Sequence, residues 1–63
     1  MNLSPRQREA LQFIAAGNAP KNAEQLGIAY GSLKVHLALA YAKLGARNSA
    51  HAVAIALRHG LIE

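Results

Sequence analysis

The stretch Ile28-Ala29-Tyr30-Gly31-Ser32-Leu33-Lys34-Val35-His36-Leu37 determines the fold that we expect for this chain of 63 residues. A short helical pattern precedes it and ends at Leu26-Gly27. A second helical pattern starts at Tyr30 and runs to Leu44, where Gly45 provides a stop. A helix, a tight turn that contains glycine and a second helix in this order predict a helix-turn-helix unit.

The second helix of this unit has one apolar side and one outward side. The apolar side has the spacing of a buried stripe and comprises Leu33, Leu37, Ala40, Tyr41 and Leu44. The outward side carries Lys34, Val35, Ala38 and Ala42. In helix-turn-helix units the second helix enters the major groove of DNA, and its first residues contact base edges. The outward side is therefore our candidate functional surface.

Two further helices are predicted before the glycine turn. The first has clear signals: Ser4 and Gln7 are spaced as a capping box, Pro5 fits the first helical position, and Gly17 ends the helix. Its apolar face is expected to comprise Ala10, Leu11, Ile14 and Ala15. A short helix should follow, with Asn18 as its cap. Its thin apolar stripe comprises Ala19, Ala23 and Leu26.

The last helix is predicted to start at Ser49 as its cap and to end at His59, before Gly60, and an apolar tail of Leu61 and Ile62 should fold back. It is apolar on two sides. One side comprises Ala50, Val53, Ala54 and Leu57, and the other comprises Ala52, Ile55, Ala56 and His59. One helix of so small a domain cannot bury both sides, which favours a homodimer. The alternative is a monomer whose alanines only favour helix formation.

The composition is that of a small basic protein. Seven Lys and Arg against three acidic residues give a net charge of +4, which favours nucleic acid as partner, although charge for solubility is the alternative. There is no cysteine, which suits a reducing cytosol. No apolar run approaches the roughly 20 residues of a membrane span, and no signal-peptide core is present. We therefore expect a soluble, cytoplasmic protein without membrane contact.

Segments along almost the whole chain resemble the LuxR/GerE-type helix-turn-helix domain. They are, in order, Leu3-Ser4-Pro5-Arg6-Gln7-Arg8-Glu9, Leu11, Ile14-Ala15, Gly17, Leu26-Gly27-Ile28, Leu33-Lys34-Val35-His36-Leu37, Lys43-Leu44-Gly45 and Ala52-Val53. The resemblance implies a single all-α domain over residues 1–63, a compact four-helix fold of the LuxR C-terminal effector-like kind. It also implies a bacterial transcription regulator that binds double-stranded DNA and dimerises through its last helix.

The resemblance, together with charge and position, assigns candidate contacts to DNA. Base contacts are expected from Lys34, which can donate to guanine or to a phosphate, from Val35, which can touch a thymine methyl, and from Ala38. Phosphate contacts are expected from Lys21, Ser32, His36, Lys43 and Arg47. For Arg6 two alternatives stay open, a phosphate contact or a pair with Glu9 or Glu24 inside the fold. The dimer contact is expected from Ala50, Val53, Ala54 and Leu57.

The chain also departs from the family pattern. The segment between Gly17 and Leu26 is one residue short, and family members commonly carry polar or basic side chains where Ala38, Leu39 and Ala42 stand. A second hypothesis is therefore an interaction protein that forms heterodimers with a LuxR-type regulator and blocks it. An enzyme is not expected, because the only carboxylate side chains are three glutamates and no catalytic or metal-ligand spacing occurs. No cofactor, metal or small-molecule ligand is expected either.

Overall fold

The computed structural model describes residues 2–63, which form three α-helices and one 3₁₀ helix and contain no strand. We label the α-helices α1 (Pro5–Ala15), α2 (Tyr30–Leu44) and α3 (Ser49–Arg58), and the 3₁₀ helix (Pro20–Leu26) lies between α1 and α2. Helix α2 packs against all of the others. The expected all-α fold with four helical segments is confirmed.

Helix α1 begins as its sequence predicts. The backbone amide of Gln7 donates to Ser4 Oγ over 3.2 Å, and the amide of Ser4 donates to Gln7 Oε1 over 3.0 Å, which completes the capping box. Ala10 and Leu11 are buried, whereas the predicted core residues Ile14 and Ala15 are only partly buried. Phe13, which the predicted apolar face omits, is buried as well.

The segment after α1 differs from its prediction in two ways. It is a 3₁₀ helix rather than an α-helix, and Asn22 interrupts it with a non-helical φ of −94° and ψ of 23°. Asn18 is not its cap, because its Nδ2 donates back to the carbonyl oxygen of Phe13 over 3.1 Å and Ala19 takes the N-cap position without a side-chain hydrogen bond. Of its thin apolar stripe, only Ala23 is fully buried.

Helix α2 has the predicted bounds and the predicted buried side. Leu33, Leu37, Ala40 and Leu44 are buried, and Tyr41 is half-buried. Gly45 ends the helix in the left-handed region with a φ of 67°, which favours glycine. The hydrophobic core consists of two clusters. One includes the contact between α2 and α3, and the other includes the contact between α2 and the 3₁₀ helix. Tyr41 packs against both clusters.

Helix α3 and the tail that follows it close the domain. The N-cap is Asn48 rather than Ser49, since Asn48 Oδ1 accepts from the amide of His51 over 2.8 Å. Ala52 and Ala56 face the core. The tail folds back as expected, and its Ile62 is buried. Within residues 2–63, no helix combines the length and the apolar character that a membrane crossing requires.

Candidate nucleic-acid interface

The outward side of α2 is open to solvent, as its sequence predicts. Lys34, Ala38 and Ala42 are exposed, and Val35 is 56% exposed. Leu39, two residues after the buried Leu37, is 49% exposed. No other element of the domain covers the large apolar side chains of Val35 and Leu39, which leaves an open apolar surface on this side of α2.

The helical repeat of 3.6 residues per turn arranges these exposed residues in a definite order. Directly opposite the buried stripe runs a line of apolar residues, which we call the apolar strip. It comprises Gly31, Val35, Ala38, Leu39 and Ala42. Polar groups lie on the two flanks of the strip: Lys34 stands on one flank, and Ser32, His36 and Lys43 stand on the other. The polar flanks suit a groove-binding helix, because phosphates line both walls of the groove, whereas base edges form its floor.

The flank of Lys34 is fixed by an aromatic contact. The Lys34 Nζ lies 5.3 Å from the centroid of the Tyr30 ring, within the range of a cation–π interaction. Tyr30 is the first residue of α2 and is half-exposed. The contact therefore holds the ammonium group near the N-terminal end of α2, where recognition helices meet base edges.

The opposite flank forms a depression at the surface. Ser32 and His36 line it together with Gly31 and Val35. His36 is partly buried, whereas Ser32 is exposed in the first turn of the helix. Lys43 is exposed in the last turn, so the positive charges of α2 stand near its two ends. The structure thus brings two predicted phosphate contacts, Ser32 and His36, to one place beside the strip.

Two predicted phosphate contacts lie on other elements. Lys21 is exposed on the 3₁₀ helix, and Arg47 is exposed in the turn between α2 and α3. The backbone amide of Arg47 donates to His51 Nδ1 over 3.1 Å. The residues Gly45, Arg47, Asn48 and His51 line a second depression. His51 therefore anchors the Arg47 turn to α3.

Arg6 makes an ion pair with Glu9. Its Nη1 lies 2.7 Å from Glu9 Oε1, and the two side chains are 56% and 46% exposed. The pair with Glu9 is thus the alternative that the structure favours, but it lies at the surface rather than inside the fold. Exposed pairs of this kind contribute at most about 1 kcal/mol to the free energy of unfolding.

The outer side of α3 carries the residues expected at a dimer contact. Ala50 and Leu57 are exposed, and Val53 and Ala54 are partly buried. An apolar groove between α1 and α3 continues this surface, and it is lined by Ile14, Ala15, Ser49, Ala50 and Val53. The sequence did not predict that α1 lines part of this groove, because Ile14 and Ala15 have the periodicity of core residues.

The described residues offer no metal site. Across residues 2–63, no three His, Cys, Asp or Glu side chains come together in a way that would hold a metal ion. The candidate interface is instead an exposed helix with an apolar centre and basic or polar flanks.

Residues 1–56 match the family model of bacterial regulatory proteins of the luxR family. The chain belongs to this family. The resemblance drawn from the sequence segments is thereby confirmed, and so is the four-helix class of fold that the resemblance implies. No solved structure matches the chain significantly.

Two relatives of this luxR-family chain illustrate its context. It is 44% identical over 61 residues to the transcriptional activator protein BjaR1 of Bradyrhizobium diazoefficiens, covering 95% of the chain and 25% of that protein. It is 42% identical over 62 residues to the probable transcriptional regulatory protein NarL of Mycobacterium tuberculosis, covering 97% of the chain and 29% of that protein. The luxR-family chain thus spans between a quarter and a third of each relative. The family and these relatives are transcription regulators, which agrees with the expectation that the chain is not an enzyme.

Proposed function

We propose that this luxR-family chain is a single DNA-binding domain that recognises specific sequences of double-stranded DNA by inserting α2 into the major groove. The observation that carries the proposal is the order of residues around α2, an uncovered apolar strip between two polar flanks. Because an α-helix fits the width of the major groove, such a helix can enter with its strip toward the bases and its flanks toward the two phosphate backbones.

Each candidate residue then has a role in the complex. Lys34, Val35 and Ala38 contact bases from the outward side of α2. The residues that contact phosphates are Lys21, Ser32, His36, Lys43 and Arg47. Phosphate contacts fix the register of the helix and make affinity depend on salt, whereas base contacts give preference for a sequence. A regulator of this kind acts in the cytoplasm, where the bacterial chromosome lies.

We further propose that two copies of the chain associate through α3. The exposed Leu57 and the small side chains Ala50 and Ala54, together with Val53, allow a second helix to approach closely. A symmetric pair would present two copies of α2 to half-sites about ten base pairs apart. Sedimentation equilibrium of the wild type and of Leu57→Glu tests this, since the exposed position of Leu57 spares the core. A wild type that stays monomeric at high micromolar concentration rules the homodimer out.

A different function is favoured by the exposure of Leu39 beside Val35. In that case the chain is an interaction protein that pairs with a LuxR-type regulator and blocks it, and α2 no longer needs DNA. This alternative predicts a stoichiometric complex with a purified regulator of the family and no salt-dependent binding to DNA. The first proposal predicts salt-dependent binding to DNA and no such complex.

The deciding experiment measures fluorescence anisotropy of labelled mixed-sequence duplex DNA at several salt concentrations. Wild-type affinity should fall steeply as salt rises, and Lys34→Ala should bind more weakly by a factor of about 5 to 100, as expected for loss of one good base or phosphate contact. Arg58→Ala is the matched control, because it removes the same charge from an exposed site on α3. Equal losses in both variants would point to net charge alone, and negligible binding at low salt would reject the proposal.

A further inference from the structure

We propose that α2 recognises its DNA chiefly through the 5-methyl groups of thymine, with a single guanine contact made by Lys34. This inference rests on the proposed insertion of α2 into the major groove. It adds the chemistry of the half-site, which neither the family nor the relatives define for this chain.

Helix α2 possesses few side chains that can form hydrogen bonds with base edges. In the major groove, Asn and Gln recognise adenine, Asp and Glu accept from cytosine, and Arg and Lys donate to guanine. Helix α2 has the sequence YGSLKVHLALAYAKL, which contains no Asn, Gln, Asp, Glu or Arg. Within the first three turns, Lys34 is the one side chain with such a base-specific pairing, and its partner is guanine, whereas the hydroxyl of Ser32 can bond to more than one base.

The remaining polar groups in the first turns of α2 lie beside the apolar strip. Ser32 and His36 stand on the flank, where they line the depression beside the strip. The strip itself offers only aliphatic carbon to the floor of a groove. Among the groups that base pairs present in the major groove, only the thymine methyl is apolar. Contact with thymine is therefore the favourable use of this surface, since its methyl group gains from burial against aliphatic carbon, whereas an edge with polar groups alone would lose water without a hydrogen bond in return.

The rise between residues of the strip is close to the distance between successive bases. Val35 and Ala38 are separated by about 4.5 Å along the axis, because each residue of an α-helix rises about 1.5 Å. Successive bases of one strand are separated by about 3.4 Å. The two side chains therefore reach neighbouring base pairs, and Leu39 extends beside them with half of its surface exposed. The half-site that fits α2 has at least two adjacent thymines, on either strand, next to one guanine.

The experiment replaces thymine by deoxyuridine, which removes only the methyl group. A duplex of 20 base pairs is first recovered from a random pool by repeated rounds of binding to the wild-type chain, and it is then synthesised with thymine or with deoxyuridine at every thymine position. Each buried methyl accounts for a factor of about four in affinity. With two thymine contacts in a half-site, we expect the deoxyuridine duplex to bind about 10-fold to 20-fold more weakly for each half-site that a copy of α2 occupies.

Two variants show where the effect arises. Val35→Ala should reduce the ratio between the two duplexes by about two-fold to four-fold, whereas Lys34→Ala should weaken binding to both duplexes and keep the ratio. Equal affinity of the wild type for both duplexes would overturn the inference and leave DNA binding by α2 standing. A ratio unchanged in Val35→Ala would also overturn it, because the methyl would then act through DNA stiffness. Failure of the random pool to yield any enriched duplex would overturn the proposed function itself.

Discussion

The side-chain amide of Gln12 holds the backbone of Glu63 at both of its polar groups: Gln12 Nε2 donates to the carbonyl oxygen over 3.0 Å, and Gln12 Oε1 accepts from the amide nitrogen over 2.9 Å. This pairing resembles one rung of a β-ladder, but it joins helix α1 to the segment after α3. The preceding residue, Ile62, is buried in the core. The pairing therefore couples α1 to the C-terminal end of the described chain.

We predict that Gln12→Ala lowers the free energy of unfolding by about 1 to 2 kcal/mol, because it removes two hydrogen bonds that are each worth about 0.5–1.5 kcal/mol and lie at an exposed site. Urea denaturation followed by circular dichroism measures the change. Gln25→Ala is the matched control, since Gln25 is exposed on the 3₁₀ helix. Equal stability of the two variants would mean that the pairing with Glu63 contributes nothing.

Two leucines of α2 should respond very differently to the same substitution. Leu33 is fully buried, so Leu33→Ala should cost about 2–5 kcal/mol and leave a domain of this size largely unfolded at room temperature. Leu39 is 49% exposed, and Leu39→Ala should change the free energy of unfolding by no more than about 0.5 kcal/mol. Thermal unfolding of both variants provides the comparison. A large loss in Leu39→Ala would show that this residue is covered in solution.

Tyr41 should make stability depend on alkaline pH. Burial raises the pKa of its phenol above the ordinary value, and a hydrogen bond with Ser49 lowers it by a smaller amount. Because the folded state prefers the neutral phenol, the stabilisation is complete below about pH 10, the ordinary pKa of tyrosine, and is lost as pH rises through the higher pKa of the folded state. Tyr41→Phe should remove this loss.

The measurement is the free energy of unfolding of the wild type and of Tyr41→Phe from pH 8 to pH 11. The difference between the two proteins should be constant up to about pH 9.5 and should then shift in favour of the variant. The two proteins share all their other ionisable side chains, so the contributions of those side chains cancel in the difference. Parallel curves over the whole range would contradict the assignment to Tyr41.

A charge added to the apolar strip should strengthen binding to DNA. Ala42 is exposed in the last turn of α2, beyond the N-terminal residues that meet base edges, and Ala42→Lys should raise affinity for mixed-sequence duplex at low salt. The slope of log affinity against log salt should steepen by about 0.9 for the one new phosphate contact. Ala42→Gln is the control, because it has a similar length without the charge. An unchanged slope in Ala42→Lys would place this end of α2 away from the DNA backbone.

The features that the sequence predicted correctly are those specified by local signals. The capping box of Ser4 and Gln7 and the buried stripe of α2 depend only on residues within a few positions of one another. The cap of α3 was assigned one residue late, because Asn48 and Ser49 both carry a suitable oxygen and only the path of the preceding turn selects between them. The burial of Phe13 was not predicted, because its partners belong to the second core cluster, which forms only when the 3₁₀ helix packs on α2.

The candidate interface was predictable to a lesser degree. The outward direction of Lys34 and Val35 follows from helical periodicity alone. The contact between Lys34 and Tyr30 and the hydrogen bond from Arg47 to His51 depend on side-chain positions that spacing does not specify. The periodicity also could not reveal that Ile14 and Ala15 would line a surface groove with α3. These are properties of packing between elements, and they require the three-dimensional arrangement.

The 3₁₀ helix changes what a missing residue means in this fold. A 3₁₀ helix rises about 2.0 Å per residue, against about 1.5 Å in an α-helix, so the same number of residues covers a longer path, although Asn22 interrupts the winding here. Ala23 reaches the core, and α2 begins at Tyr30 with its stripe buried. If this segment lacks one residue relative to the family, as the resemblance implies, its longer rise per residue supplies the missing length, so that a gap in an alignment need not correspond to a gap in space.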